Sequence, residues 1–458
     1  MTEAAYFVSA PWRSSGKTIV TVGLAAAARQ KQIAVQTFKK GPDYIDPRWL
    51  AAASRQPCYN LDLHQQNHEE IVSSYRHHAQ SSQLCLVEGT MGLHDGIATD
   101  GSDSNAAIAR LLDLPVLLAV DCRGMHRTVA ALLKGIEQFD PELRFAGVIL
   151  NRIRSDRHAQ KIEQAIAAHT DMRLLGILPD REDLAIAEQE LGLTPTLEDS
   201  HAGARIDVIS DVVQEYIDLD ALFPPVIKAT QIQRPVAVAS TPARVPAKLR
   251  IGLAHDEAFH FYYQDDLDYF ASLGVELVRC SPCKDAFPTG LDGLWIGGGF
   301  PERHVEKLSG NKAFYSALHQ EIEAGLPVHA ECGGLMYLCR SIQVENKRWP
   351  MCGVIEADVS LSDRPVGRGY MQLTTETDHE MAIFAHEFHH SSITFDSPPD
   401  YTYRVTRGHG VDGQHDGVAV HNVIAGFAHF RQSQKTPWID WFLSRIQAHK
   451  NNPVYQHV

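Results

Sequence analysis

Two short segments carry side chains whose types and spacing could do chemistry on a phosphate or a carbonyl. The first reads Ser9-Ala10-Pro11-Trp12-Arg13-Ser14-Ser15-Gly16-Lys17-Thr18 and stands between an apolar strand-like run and a helical one. Its last three residues fit the end of a Walker A motif. There, N–H groups at a helix N-terminus cradle phosphate, the lysine bridges its oxygens, and the threonine hydroxyl ligates Mg²⁺. Pro11 stands where the first glycine of that motif belongs. Ser14, Ser15, Gly16, Lys17 and Thr18 are the expected nucleotide contacts, with an ordinary Ser-capped helix as the alternative.

The second segment is Pro327-Val328-His329-Ala330-Glu331-Cys332-Gly333-Gly334-Leu335-Met336. An apolar strand ends at the cysteine and two glycines open an apolar helix, the elbow on which hydrolases carry a serine nucleophile. A helix N-terminus favours the thiolate, and the N–H after the nucleophile can hold an oxyanion. Upstream, Trp295-Ile296-Gly297-Gly298-Gly299-Phe300-Pro301-Glu302 ends a strand in three glycines. Gly298, Gly299 and Gly333 are therefore the expected oxyanion and small-substrate positions. A buried structural cysteine is the alternative for Cys332.

A thiol nucleophile needs a base, and a histidine from later in the chain should supply it. His429, in Ile424-Ala425-Gly426-Phe427-Ala428-His429-Phe430, follows a strand-like run and is the first choice. The competitor, His386-Glu387-Phe388-His389-His390, literally satisfies H-E-x-x-H. A zinc protease needs that pattern on a helix, whereas here it runs into Ser391-Ser392-Ile393-Thr394-Phe395 and then Pro398-Pro399. On a strand, His386 and Phe388 would point one way and Glu387 and His389 the other. Cys280 and Cys283 form a CxxC without a second pair at zinc-ribbon spacing, so two buried thiols are expected there.

Two acidic segments, residues 38–47 and 87–96, lie at strand ends, where a doubly wound sheet places its ligands. Asp43 and Glu88 could complete a Mg²⁺ site begun by Thr18, because Mg²⁺ takes hard oxygens and substrate phosphates. Gly-Pro-Asp and Asp-Gly are also good turns without function. Asp46, followed by Pro47 and a helical run, also fits a helix N-cap.

These residues need elements to hold them. Strand-like runs at 5–9, 33–38, 83–87, 115–120, 145–150 and 174–178 alternate with helical runs at 17–29, 104–112, 127–139 and near 205–222. Such alternation predicts βαβ units and a mostly parallel sheet covered on both faces. A proline-rich stretch, residues 224–248, reads as a linker. The pattern then restarts with strands at 249–254, 275–279, 294–297 and 327–330, helices at 264–273 and around 304–324, a β-rich stretch after 350, and a last helix at 438–449. The expected fold is α/β in two domains, residues 1–223 and 249–458.

Composition bounds the function. Of 458 residues, 44% are hydrophobic and 21% charged, which excludes a disordered chain. With 42 Lys and Arg against 56 Asp and Glu, the net charge of -14 argues against general binding to nucleic acid or anionic membrane. No run approaches about 18 apolar residues, and no signal-peptide pattern opens the chain, so a cytoplasmic protein is expected. The 8 cysteines are too scattered for a disulfide scaffold.

Six segments, 38–47, 87–96, 258–263, 297–302, 330–338 and 386–391, occur in order and together resemble the cobyrinic acid a,c-diamide synthase family over essentially the whole chain. The resemblance implies an N-terminal P-loop-like, doubly wound ATP domain similar to dethiobiotin synthetase, followed by a class I glutamine amidotransferase domain of flavodoxin-like fold. It implies a ligase that uses ATP and Mg²⁺ to amidate peripheral carboxylates of a tetrapyrrole. The nitrogen would be ammonia, released from glutamine by Cys332 and His429 and passed between the domains. Asn151 matches the position where relatives recognise the nucleotide base, and Tyr44, Asp46 and Asp95 fall where the substrate is expected.

Departures bear on the substrate. Lys40 replaces a usually apolar residue, and Glu190-Leu191-Gly192-Leu193 lacks the Arg-His that usually precedes Leu-Gly-Leu. Phe430-Arg431 replaces the Pro-Glu of triad amidotransferases, leaving no third triad member. Cobyrinate is the default substrate, and sirohaem or sirohydrochlorin amidation in the same family is the alternative. A nucleotide-binding regulator with a degenerate amidotransferase domain is a further alternative, though such a module has no need of both Cys332 and His429. The oligomeric state stays open, a homodimer being one option.

Overall fold

The computed structural model describes residues 4–186, 188–189, 192–196, 199, 201–224, 248–375 and 381–451. Nearly all of the expected linker at 224–248, together with Glu190 and Leu191, lies outside the described residues. The chain divides into two compact units, residues 1–238 and 239–458.

The first unit alternates strand and helix: β1 (Ala4–Ser9), α1 (Lys17–Gln30), β2 (Val35–Lys40), α2 (Asp46–Ser54), β3 (Cys58–Leu61), α3 (His68–Ala79), β4 (Leu84–Glu88), α4 (Asn105–Leu111), β5 (Val116–Asp121), α5 (Thr128–Phe139), β6 (Phe145–Ile153), α6 (Asp156–His169) and β7 (Leu174–Pro179). A two-stranded pair, β8 (Glu188–Gln189) and β9 (Gly192–Leu193), precedes α7 (Ala202–Tyr216). The sheet order is β3-β2-β4-β1-β5-β6-β7, and its pairs run parallel. β4 and β5 are buried along their whole length, as strands covered on both faces must be. Register does the positioning. Val8 on β1 and Lys39 on β2 both pair with Glu88 on β4, so the phosphate loop, a lysine and a carboxylate meet at one end of the sheet.

The second unit contains β10 (Arg250–Ala254), α8 (Gln264–Ser272), β11 (Glu276–Cys280), β12 (Gly293–Ile296), α9 (Val305–Gly310), α10 (Lys312–Glu323), β13 (Val328–Glu331) and α11 (Gly333–Leu338). Eight strands of the β-rich stretch follow between Cys339 and Val420, and β22 (Val423–Gly426) and α12 (Trp438–Asn451) end the unit. The order β11-β10-β12-β13-β22 is parallel, and antiparallel strands extend the sheet to nine. β13 lies beside β22, so the elbow after Glu331 and the loop carrying His429 leave the sheet side by side.

Two expectations about elements need correction, and one strand, β3, was not expected. The helix expected around 304–324 is two, broken at Asn311, whose side chain caps α10 and also donates to Pro282 and Asp285. β2 runs on to Lys40, because Lys39 is buried against acidic partners rather than solvated. β3 has only four residues, among them the polar Asn60, too little for a pattern.

Candidate active site

In the first unit the loop after β1 turns tightly before α1. Ser14 and Gly16 both have positive φ, 58° and 97°, and a Cβ on Gly16 would run into the Asn151 side-chain amide. That amide donates to Ser15 O at 3.0 Å, and the Ser15 hydroxyl donates to Trp12 O at 2.9 Å. Asn151, expected at the nucleotide base, thus braces the phosphate loop from beneath.

Lys17, the first residue of α1, is buried and donates to Met91 O at 2.7 Å. Burial, and secondarily the charge of Lys39, lowers its pKa to about 8. Thr18 donates its hydroxyl to Glu88 Oε1 at 2.8 Å and lies 3.5 Å from Asp46 Oδ2. Lys39 completes the cluster, with Nζ 2.6 Å from Asp46 and 2.7 Å from Glu88. Burial opposes the Lys39 charge, but Asp46 and Glu88 outweigh it and hold the ammonium well above the usual lysine range. The same ammonium overcomes burial at Asp46 and lowers its pKa. Burial first, and the charge of Asp46 after it, raise the pKa of Glu88, whose Oε2 has no hydrogen-bond partner among the described residues.

The acidic residues therefore divide differently from the expectation. Asp43 spends Oδ1 on the N–H groups of Ile45 and Asp46, closing the turn before α2. Burial first, then Asp46, pushes its pKa up to about 7. Asp46 is not the N-cap of α2; that position is Ile45, and the Asp46 carboxylate turns inward to Lys39 and Thr18. Asp95 accepts from Gly92 N at 3.0 Å and braces its loop, and Tyr44 is buried beside Asp43. The Thr18 hydroxyl, the Asp46 carboxylate and the unpartnered Glu88 oxygen form a hard-oxygen set of the kind Mg²⁺ takes.

In the second unit Cys332 has φ 49° and ψ -103°, a strained conformation between β13 and α11. Its N–H donates to Gly426 O at 2.7 Å, and the thiol is 5% exposed. Gly333 begins α11, where first-turn N–H groups have no intrahelical acceptor. A Cβ there would lie 3.3 Å from Gly299 N, so the two expected oxyanion donors stand together. A Cβ on Gly298 would strike His429 Cε1, so only glycine leaves room for that ring.

The Cys332 thiol donates to Phe388 O at 3.9 Å, and His429 is buried. Burial opposes its charge, but Cys332 first and Glu331 second raise its pKa to about 10. A thiol that hands its proton to a neighbouring imidazole becomes the attacking thiolate, and the imidazolium so formed can return that proton to a leaving group. His386 stacks on His429 with ring centroids 4.8 Å apart and exchanges backbone hydrogen bonds with it. It sits on the strand Ile383–His389, and Glu387 and His389 face away from it as alternation requires, 3.5 Å from each other. Cys280 and Cys283 are both buried free thiols.

Sequence reasoning missed Glu331, whose Oε2 lies 3.7 Å from His429 Nδ1. A carboxylate ending a short, fully buried strand was the signal, since a buried charge needs a partner.

Comparison with known proteins agrees with both halves of this geometry. Residues 14–193 match a family model described as the CobQ/CobB/MinD/ParA nucleotide binding domain. Residues 250–437 match one described as the CobB/CobQ-like glutamine amidotransferase domain. The cobyrinate a,c-diamide synthase of Magnetococcus marinus is 38% identical over 452 residues, covering 96% of each chain. That of Listeria innocua is 36% identical over 84% of this chain and 86% of its own. That of Listeria monocytogenes is 34% identical over 96% of this chain and 99% of its own. Matched along nearly its whole length at such identity, the chain belongs to the cobyrinate a,c-diamide synthase family.

Proposed function

We propose that the protein is a glutamine-hydrolysing ligase that uses ATP to amidate peripheral carboxylates of a tetrapyrrole, with cobyrinate as the substrate. The observation that carries this reading is the presence, in one chain of this family, of a phosphate loop backed by buried acids and a Cys–His pair on a strained elbow.

A carboxylate is a poor electrophile. One of its oxygens attacks the γ-phosphorus of ATP, ADP leaves, and the carboxyl becomes an acyl phosphate. Lys17 and the Gly16 turn hold the phosphates, and Ser14 and Ser15 shape the loop. Asn151 serves the nucleotide by fixing that loop. Thr18, Glu88 and an aspartate, Asp43 or Asp46, would hold Mg²⁺, which neutralises phosphate charge when bound. Tyr44, Asp46 and Asp95 border the substrate.

Cys332 attacks the side-chain amide carbon of glutamine, with Gly298, Gly299 and Gly333 around the developing oxyanion. His429 returns the thiol proton to the departing nitrogen, ammonia leaves, and water hydrolyses the thioester to glutamate. Ammonia then attacks the acyl phosphate and phosphate departs, leaving the amide. In this division residues 1–223 activate the carboxylate, 224–248 link, and 249–458 release ammonia. No helix among the described residues is long and apolar enough to cross a membrane.

The test is mass spectrometry of products after incubation with ATP, Mg²⁺, glutamine and a panel of cobyrinate, sirohaem and sirohydrochlorin. One or two new amides on cobyrinate are expected. Amides only on sirohaem or sirohydrochlorin would move the protein to that branch, and no amide on any macrocycle would remove the reading.

A further inference from the structure

Glu331 ends β13 and directly precedes Cys332, yet its side chain lies toward the imidazole of His429. Oε1 accepts the Phe430 N–H at 3.1 Å and lies 3.0 Å from His329 Nε2. An ionised carboxylate only accepts, so His329 presents Nε2–H to it. Those two contacts pin the carboxylate and leave Oε2 facing His429 Nδ1 at 3.7 Å. The site where triad enzymes place a glutamate two residues after the histidine holds Arg431 instead. Its buried guanidinium pairs with Asp265 at 2.6 Å and cannot accept a proton from imidazole.

We propose that Glu331 is the positioning residue of the glutamine-hydrolysing site, holding His429 in the Nδ1–H tautomer and stabilising its imidazolium from the nucleophile's own strand. The inference rests on the reading of Cys332 and His429 given above. Physically it follows the logic of every acid–histidine–nucleophile system: the carboxylate fixes which ring nitrogen is free for the nucleophile and balances the charge that forms. A separation of 3.7 Å before substrate binds is of the loose kind that tightens in the reacting complex. The other titratable groups around His429 are Cys332, the stacked ring of His386, and Tyr263, whose hydroxyl is 3.4 Å from His386 Nδ1. Glu331 is the carboxylate that faces the His429 ring.

The test measures glutamate release and thiol alkylation by iodoacetamide in the full chain, for the wild type and for Glu331→Gln, Glu331→Asp and Cys332→Ala. Glu331→Gln should lower kcat for glutamine hydrolysis by roughly 10²–10⁴-fold with little change in KM, the scale seen when a triad carboxylate is neutralised. It should also slow thiol alkylation at pH 7 about tenfold or more, because the imidazolium that stabilises the thiolate no longer has its counter-charge. Glu331→Asp should recover part of both. A Glu331→Gln protein with wild-type kcat and alkylation profile would overturn the assignment. So would a drop in kcat that Asp does not relieve and that leaves the alkylation profile unmoved, since that is loss of packing alone. If the wild type released no glutamate, or Cys332→Ala released it normally, the underlying reading would fall instead.

Discussion

The two candidate sites use the same device, a helix N-terminus at the end of a central parallel strand, and differ in what joins strand to helix. Seven residues separate β1 from α1, whereas one residue, Cys332, separates β13 from α11. The long turn wraps a cradle of N–H groups and leaves the chemistry to charges brought by neighbouring strands. The short one stores backbone strain and aims a single thiol. Charge follows shape. The first site crowds two lysines and three acids together and leaves one buried oxygen of Glu88 without a hydrogen-bond partner among the described residues. The second is closed on itself, with Glu331, His429 and Cys332 paired in sequence.

If that difference is functional, damage to the first site should stop amidation from any nitrogen source, and damage to the second should stop only glutamine use. Lys17→Ala should cost about a hundredfold or more with both glutamine and ammonium, since one buried charge facing developing negative charge is of that size. Near-normal turnover in steady-state assays would remove the phosphate-loop assignment. His429→Ala should lower glutamine-dependent turnover on a similar scale and leave ammonium-dependent turnover intact. His386→Ala, which removes a stacked ring and no partner of the thiol, should be far milder.

Two glycines sharpen the contrast. Gly16→Ala would press its methyl into Asn151 at a positive φ, and Gly298→Ala would press into His429. Gly16→Ala should lose nucleotide binding in calorimetry, while Gly298→Ala should keep it and lose glutamine hydrolysis by about tenfold or more. Equal behaviour of the two variants would mean that the sites are not separable in this way.

Smaller effects probe the open side of the first site. Glu88→Gln should lower turnover about tenfold and recover part of it as Mg²⁺ is raised, if the enclosed oxygen is a ligand. An unchanged magnesium dependence would leave Glu88 as a partner of Thr18 and Lys39 alone. Lys17, with its pKa lowered to about 8, is charged below that pH and loses its proton above it. Bound ATP favours the ammonium, so nucleotide affinity should fall by up to about tenfold per unit above pH 8. Calorimetry in buffers of different ionisation heat should then show proton uptake on binding, and its absence would mean that Lys17 does not meet the phosphates.

Much of this contrast was legible in the residues. Gly16-Lys17-Thr18 and Glu331-Cys332-Gly333-Gly334 announce themselves because turn, nucleophile and helix start are contiguous. The two-domain α/β fold followed from strand–helix alternation, and the family from six ordered segments. What was not legible depends on elements meeting across the sheet. Lys39 gave no sign that it, rather than its neighbour Lys40, would sit between Asp46 and Glu88, because register alone sets that pairing. Asp46 fits both a substrate contact and a helix cap in sequence, yet Asp43 holds the turn and frees Asp46 to face Thr18. Glu331 was passed over because adjacent strand residues point to opposite faces. Only the turn at Cys332 and the loop after β22 bring its carboxylate and the thiol to the same imidazole.

The most direct measurement compares product formation by Cys332→Ala with glutamine and with a high concentration of ammonium salt, in the presence of ATP and the macrocycle. If the thiol only releases ammonia, as proposed, the variant should lose glutamine-dependent amidation and keep ammonium-dependent amidation at the wild-type rate. Retention of glutamine use, or loss of both activities in a folded protein, would contradict the assignment of the two chemistries to two separate sites.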